Sequence, residues 1–172
     1  MLVPLFGAIE YNLLECTVRY DVESFPGTQE ILLHTVVCML IEDFWFYWGH
    51  RALHHPALYG RFHKLHHEFR QPTVLAAHHF HPVEFVGVSL IGLMLGPTLL
   101  GRRMHLFTKL FWMLIRVGEA MDGHCGFELP WSPFRLLPFS NSSEYHDWHH
   151  TRNQGNFGSW FNWWDTLCGT RG

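Results

Sequence analysis

Histidine spacing is the feature that most restricts how this chain can fold. Six of its fifteen histidines lie between residues 42 and 67, where His50 and His54 are four apart and H-x-x-H-H follows at 63–67. The same H-x-x-H-H spacing returns at 146–150. Because positions i, i+3 and i+4 share one face of a helix, we expect each group to direct two or three imidazoles at one point. The fold must then bring three helical segments together around a polar centre.

Imidazole nitrogens are common ligands of transition metals. Eight imidazoles exceed the four ligands of one tetrahedral ion, so the pattern predicts two metal ions. Nearly all-nitrogen ligation beside apolar segments favours redox chemistry, and the hydrolytic zinc signature H-E-x-x-H fails because residue 71 is Gln. Adventitious binding by surface histidines is the alternative, and the repeated spacing argues against it. The eight histidines are His50, His54, His63, His66, His67, His146, His149 and His150.

Composition points to a membrane protein. Hydrophobic residues make up 48% of the 172-residue chain and charged residues only 16%, against about 25% in soluble domains. A net charge of −3 and a pI near 6.5 leave no basic surface for nucleic acid. The four cysteines are scattered without a C-x-x-C pair, which is typical of reduced thiols. The length favours a single domain over residues 1–172.

Hydropathy predicts an all-α integral membrane protein with transmembrane helices and a histidine-rich metal-binding cap. Residues 31–48 are long enough to cross a bilayer, and their helix is expected to run directly into the first histidine pair and to stop at Pro56. Residues 85–100 carry no charge, and 104–121 return from them as a hairpin that would bring His81 near His124. The apolar start, residues 1–15, shows no cleavable signal peptide and is interpreted as the tail of a membrane helix.

The remaining segments are predicted from their local patterns. Residues 57–70 are expected to form an amphipathic helix, and Pro, Gly and Ser make 122–145 an irregular connector. Aromatic residues at 160–164 are expected at the membrane interface. Trp, Phe and Leu side chains from residues 44–48 and 106–114 are expected to line a substrate pocket, with packing or lipid contact as the alternative.

The three histidine groups, in this order, resemble the histidine boxes of the membrane fatty acid hydroxylase/sterol desaturase superfamily. The resemblance covers residues 41–170 and is strongest to the C4-methylsterol oxidases. It rests on flanking segments as well as on the boxes. These segments are IEDFWFYWGHRALHHPALYGRFHKLHHEF at 41–69, HPVE at 81–84, D-x-H-x-G at 122–126, LLPF at 136–139 and NWWDTLCGT at 162–170.

The resemblance implies a non-haem di-iron monooxygenase that oxidises the C4-methyl group of sterol precursors. Two irons would be held on the cytosolic side of the endoplasmic reticulum membrane, with no separate protein acid or base. O2 would be the co-substrate. Electrons would come from NAD(P)H through cytochrome b5 or a similar carrier, without direct nucleotide binding.

The resemblance also implies metal ligands at all eight histidines, with His124 as a further ligand. A related branch has a second histidine four residues after this one, where the present chain has Glu128. Three readings stay open: Glu128 replaces a ligand, His81 completes the set, or one iron keeps an open position. Because metal-bound imidazoles usually donate their other N–H to a carboxylate or carbonyl, four acidic residues are candidates to orient them. They are Asp43, Glu84, Asp122 and Asp147, with capping or solvation as the alternative role.

Two other functions fit the same boxes. One is a different lipid enzyme on the same metal core: a fatty acyl, sphingoid or cholesterol hydroxylase, or a C5-sterol desaturase. The other is an inactive membrane scaffold that retains the histidines. Members of the superfamily normally have further membrane helices before the equivalent of residues 31–48, so we expect the N-terminal helices to be truncated here.

Overall fold

The computed structural model describes residues 18–172, so the expectation for residues 1–15 lies outside the described part of the chain. All regular secondary structure within residues 18–172 is helical. Two isolated β-bridges, Arg19 with His105 and Ser140 with Phe161, are the only extended pairings there. The predicted all-α class is therefore confirmed.

Helix α1 spans Thr28–Leu53, with His50 in its last turn and His54 as its C-terminal cap. It begins directly after Gly27, three residues before the predicted start, and ends ahead of Pro56 as predicted. His55 is extended, at φ −63° and ψ 136°, because a residue that precedes proline avoids helical geometry. Pro56 thus fixes where α1 ends and sets the position of His54 at its edge.

Helix α2 spans Pro82–Arg103 and contains a wide π-helical passage at Phe85–Leu90. Among the described residues, α1 and α2 are long and apolar enough to cross a membrane. They pack closely at Gly96, where an added Cβ would lie 2.8 Å from the Cα of Cys38. Small residues of this kind let the backbones of membrane helices approach each other.

Helix α3, Leu106–Gly123, follows α2 after a short turn and forms the second arm of the predicted hairpin. The indole N–H of Trp112 in α3 donates to the carbonyl of Leu93 in α2, at 2.9 Å. Trp112 also stacks on Trp160 in the buried core. The predicted interfacial position is therefore wrong for Trp160 and Phe161, which are only 3% and 4% exposed because they pack between the helices.

The predicted amphipathic helix at 57–70 is wrong as a continuous element. The segment consists of a short α-helix at Pro56–Leu58, a π-helical turn at Tyr59–His63 and a 3-10 turn at His66–Glu68. Each change of helical pitch rotates the following side chains about the segment axis. The histidines of this segment are therefore not arranged as they would be on one regular helix.

Two short helices complete the chain. Helix α4, Ser143–Arg152, starts at Ser142, whose hydroxyl accepts a hydrogen bond from the backbone N–H of Tyr145, and it carries the last histidine group. Helix α5 spans Trp163–Cys168 and ends at Gly169 with φ 65°. The connector before α4 is irregular, as predicted, apart from a 3-10 turn at Pro133–Leu136.

Candidate metal centre

Nine histidines converge in two neighbouring groups. Within each group, one ring nitrogen of every histidine lies within 4.8 Å of those of all the others. Eight of the nine side chains belong to residues that are at most 9% exposed. We call the first group site A; it contains His50, His54, His63, His67 and His149. We call the second group site B; it contains His66, His124, His146 and His150.

Each H-x-x-H-H motif is divided between the two sites: two imidazoles of each motif meet at one point, as expected, and the third joins the other site. In the first motif the i, i+4 pair His63 and His67 belongs to site A, and His66 belongs to site B. The second motif is divided in the opposite sense, with His149 in site A and the i, i+4 pair in site B. Neighbouring residues lie about 100° apart around a helix, so an adjacent histidine faces a second centre.

The divided motifs bring the two sites into direct contact. The ring centroids of His67 in site A and His150 in site B are 4.7 Å apart. His66 of site B also lies 5.4 Å from His63 of site A, measured between ring centroids. Two ions held in these sites would therefore be neighbours and would face the same substrate.

The spacing of the ring nitrogens suits metal ligation. In site A, the Nε2 atoms of His54, His63 and His67 are 3.0–3.2 Å from one another. In site B, the Nε2 atom of His146 lies 2.8 Å from that of His124 and 3.1 Å from that of His150. Nitrogens bound at right angles to one ion at ~2.1 Å lie ~3 Å apart, so both groups have the required geometry.

Two Nε2 atoms in site A are buried and have no hydrogen-bond partner within residues 18–172, as expected of atoms that bind a metal. They are the Nε2 atoms of His50 and His149. The other nitrogen of each ring is fixed by a backbone carbonyl: Nδ1 of His50 lies 3.0 Å from the oxygen of Phe157, and Nδ1 of His149 lies 2.6 Å from that of Gly155. With Nδ1 donating, each Nε2 lone pair is free to bind an ion.

Carbonyls and one carboxylate orient further rings. Nδ1 of His124 donates to the oxygen of Ala120 at 2.8 Å, and Nδ1 of His66 lies 3.3 Å from the oxygen of His79. Glu84 is the carboxylate: its Oε1 lies 2.8 Å from Nδ1 of His63. The position of Glu84 matches the orienting role suggested for it. Backbone carbonyl partners were missed because the sequence has no signal for them.

The other three suggested carboxylates contact different groups. Asp43 accepts from the backbone and indole N–H groups of the C-terminal segment: Trp160, Phe161 and Trp163. Asp122 pairs with Arg135 at 2.5 Å. Asp147 has a buried Oδ1 with no partner among the described residues. With these partners, Asp43 and Asp122 anchor the surrounding segments rather than an imidazole.

His124, but neither of the two other candidates, joins a histidine group. Nδ1 of His81 accepts from the backbone N–H of Val83 at 3.1 Å and so caps α2. Glu128 binds Arg135 and is largely exposed. The structure therefore completes site B with His124 and leaves His81 and Glu128 outside both sites.

Asp165 is a supporting residue that the sequence analysis missed. Its carboxylate accepts from the backbone N–H groups of Phe157 at 2.9 Å and Gly158 at 2.8 Å, and it is fully buried. Since the carbonyl of Phe157 orients His50, Asp165 holds the loop that fixes this ring. The sequence feature that could have identified Asp165 is its position inside the NWWDTLCGT segment, which carries part of the family resemblance.

Burial keeps the rings neutral. Loss of hydration is the main cause that lowers the pKa of His54 to about 2, that of His66 to about 3 and that of His150 to about 4, and neighbouring imidazoles add to it. The pKa values of His63, His67, His124, His146 and His149 are lowered for the same reason. Neutral imidazole is the form that binds a metal ion.

A cavity of about 320 Å³ adjoins both sites. Histidines from both form part of its wall, among them His50, His63 and His146. Its size falls in the range of about 300–1,000 Å³ that is usual for small-molecule sites. Much of the remaining wall is apolar and comes from α1, α2 and α3: Phe46, Leu53, Val88, Leu90, Leu93 and Met113.

The predicted pocket lining is only partly correct. Phe46 does line the cavity, and so does Met113, which is not one of the predicted Trp, Phe and Leu side chains. Other large side chains from the two predicted stretches are exposed on the outside of the helices, as expected for lipid-facing positions. Successive residues of a helix point in different directions, so a continuous stretch cannot all face the cavity. The exposed side chains are Phe44, Trp48, Phe107, Leu110, Phe111 and Leu114.

Comparisons with known proteins agree with this geometry. A fatty acid hydroxylase family model matches residues 35–170. The chain is 38% identical over 155 residues to a C-4 methylsterol oxidase of Candida albicans, covering 89% of this chain and 50% of that protein. It is 35% identical over 168 residues to methylsterol monooxygenase 1 of Danio rerio, covering 98% and 57%.

A rice protein, a very-long-chain aldehyde decarbonylase, is 42% identical over 173 residues, covering 92% of this chain and 63% of its own length. The chain thus spans roughly half to two thirds of the length of the curated relatives it matches. No solved structure matches it. With the family model covering most of its length and the paired histidine sites in place, this chain belongs to the fatty acid hydroxylase family.

Proposed function

We propose that this chain forms the core of a membrane monooxygenase that oxidises the C4-methyl group of sterol precursors. The observation that carries the proposal is the convergence of nine histidines into two adjacent sites on the wall of an apolar cavity. The methylsterol relatives from Candida albicans and Danio rerio support the substrate class.

Two iron ions are the proposed metals, one in site A and one in site B. Imidazole suits iron, and the unpartnered Nε2 atoms of His50 and His149 support the assignment of an ion to this donor set. Bound iron supplies the electron-transfer chemistry with O2 that amino acid side chains lack. The protein holds the rings neutral and correctly oriented, and its apolar cavity keeps water away from the reacting carbon.

The electron supply and location follow from the family resemblance. We assign NAD(P)H as the source of electrons, with cytochrome b5 or a similar carrier delivering them, and the endoplasmic reticulum membrane as the location. A cytosolic orientation of the sites is supported by the basic residues near the histidine motifs, since cytosolic loops carry an excess of positive charge. These residues are Arg51, Arg61, Lys64 and Arg70.

A second candidate is a reaction on a long-chain aldehyde. It is favoured by the rice decarbonylase, which is 42% identical to this chain. The same pair of metal sites would serve it, because the histidine spacing does not depend on the shape of the lipid. The side chains that line the cavity, and not the metal sites, therefore determine which of the two substrates binds.

The metal assignment is tested by removing one ligand from one site. His149→Ala should lower the bound iron from about two ions per chain to about one and abolish turnover, because site A loses a ring that its backbone partner had fixed. The matched control is His105→Asn, since His105 caps α3 and belongs to neither site, and asparagine is also a good cap. Metal analysis that shows unchanged iron in His149→Ala would refute the assignment.

The substrate is tested with the iron-loaded protein in membranes, supplied with O2 and a reducing system. A 4,4-dimethyl sterol and a very-long-chain aldehyde are offered separately, and the products are identified by mass spectrometry. We expect a C4-hydroxymethyl or more oxidised sterol. Consumption of the aldehyde alone would favour the second candidate, and inertness toward both with no bound iron would indicate the scaffold alternative.

A further inference from the structure

We propose that the side-chain carbonyl of Asn141 accepts a hydrogen bond from a hydroxyl group of the lipid substrate, and so determines which carbon faces the metal sites. This inference rests on the proposed function, because it concerns the same cavity. It assigns Asn141 a positioning role that the histidine pattern gives no hint of.

Asn141 is held rigidly on three sides. Its backbone N–H donates to the carbonyl of Trp160 at 2.9 Å, and its own carbonyl accepts from the guanidinium of Arg135. Its side-chain Nδ2 donates to the carbonyl of Ser159 at 2.9 Å. The last contact also fixes which end of the amide is oxygen, because only the NH2 end can donate to a carbonyl.

The fourth polar atom of Asn141 has no partner. Its Oδ1 is buried and accepts no hydrogen bond within the described part of the chain, although the residue is only 8% exposed. Asn141 lines the cavity. A buried acceptor without a donor is unfavourable, and such atoms in native structures are usually completed by a ligand or by water. A donor that arrives in the cavity would satisfy it.

The position of Asn141 suits a hydroxyl next to the reacting carbon. It directly precedes Ser142, the cap of α4, and the carbonyl of Ser142 accepts from the backbone N–H of His146 in site B. Ser142 and His146 also line the cavity, so Asn141 is linked through its neighbour to a histidine of the cavity wall. In a sterol, the C3 hydroxyl is on the carbon bonded to C4, so a hydrogen bond from it would hold C4 near this part of the wall.

The chemistry of Asn141 defines the ligand class. Oδ1 can only accept, so it selects a lipid with an O–H group over the same lipid without one. Loss of such a contact leaves the acceptor unpaired again, and sites built this way discriminate strongly against the analogue that lacks the hydroxyl. We therefore expect the wild-type protein to bind a 4,4-dimethyl sterol about tenfold more tightly than its 3-deoxy analogue.

The experiment measures the affinity of both ligands for the iron-loaded protein and for two variants. Asn141→Leu keeps the approximate side-chain volume and removes the acceptor, so the ratio of the two affinities should fall to about one. Asn156→Leu is the matched control. Asn156 is also buried, but its Nδ2 donates to the carbonyl of Tyr145 and its Oδ1 accepts from the N–H of Gly172, and it does not line the cavity. Its ratio should stay at the wild-type value even if stability falls.

Because each variant is compared with itself, partial unfolding lowers both affinities and leaves their ratio interpretable. Equal wild-type affinity for the two ligands, or a tenfold preference that survives in Asn141→Leu, would overturn the inference and leave the proposed function standing. Preference for the hydroxyl without any oxidation would support the inference and contradict the proposed reaction. Failure of both sterols to bind would overturn both.

Discussion

At the scale of single residues, the two metal sites depend on atoms that orient the histidine rings. His50, His66, His124 and His149 each use Nδ1 to contact a backbone carbonyl, and His63 alone uses a carboxylate. A carbonyl partner is fixed by the fold, whereas the carboxylate is fixed by one side chain. Glu84 is therefore the orienting group that a substitution can remove without disturbing the backbone.

We expect Glu84→Gln to weaken iron binding in site A by about 10- to 100-fold, because an amide oxygen orients the ring less strongly than the carboxyl group that contacts its Nδ1. Activity should fall in parallel and recover partly with excess iron. Titration of bound iron checks this. Asp122→Asn is the matched control, since Asp122 pairs with Arg135 and contacts no imidazole. Equal losses in the two variants would argue against a specific role for Glu84.

At the scale of helices, the cavity depends on how closely α1 and α2 approach each other. Gly96 of α2 lies against the backbone of Cys38, and the contact continues toward the cavity through Gly92, which faces Trp45 and Glu42. The C-terminal segment is fastened to α1 by Asp43, which accepts N–H groups from residues 160, 161 and 163. Packing and polar contacts together fix the helices around the histidines.

Gly96→Ala should destabilise the folded protein by about 1–3 kcal/mol, because the new methyl group meets backbone that cannot move aside. The thermal unfolding midpoint in detergent measures the effect. Gly87→Ala in the same helix is the control: an added Cβ there meets nothing within 4 Å, and alanine favours the helix. A midpoint for Gly96→Ala that matches or exceeds that of Gly87→Ala would contradict the close-packing argument.

At the scale of the whole molecule, folding buries many imidazoles that must stay neutral. The pKa of His150 falls to about 4, that of His66 to about 3 and that of His54 to about 2, whereas in an unfolded chain these groups titrate near pH 6.5. Below about pH 6.5 the unfolded state therefore binds more protons than the folded state. The free energy of unfolding must fall as the pH falls.

We expect the metal-free protein to lose about 1.4 kcal/mol of stability per pH unit for each such histidine between pH 6 and pH 4, with little change above pH 7. Thermal unfolding at a series of pH values checks this. Iron-loaded protein should begin to lose stability at a lower pH, since protons must displace the metal from the rings. A flat profile from pH 7 to pH 4 in the metal-free protein would show that the histidines are not buried as a neutral group.

The sequence indicated much of this structure through local patterns. Hydropathy predicted α1, α2 and the return helix, and Pro56 marked the end of α1 through its effect on the residue before it. Histidine spacing and the flanking segments predicted the family and nine of the residues that the structure groups together. These features are local or compositional, so the chain carries them before it folds.

Only the tertiary structure decided how the histidines are shared and what supports them. Local spacing predicted that two or three imidazoles of each motif would meet, but only the fold shows which distant histidines complete each site. In the folded chain Asp43 contacts the C-terminal segment, His124 rather than His81 joins site B, and Oδ1 of Asn141 has no partner among the described residues. The sequence alone determined which chemical groups are available and which segments form helices. The packing of distant segments determined their partners, because a hydrogen bond or a shared metal ion depends on distances that local spacing does not encode.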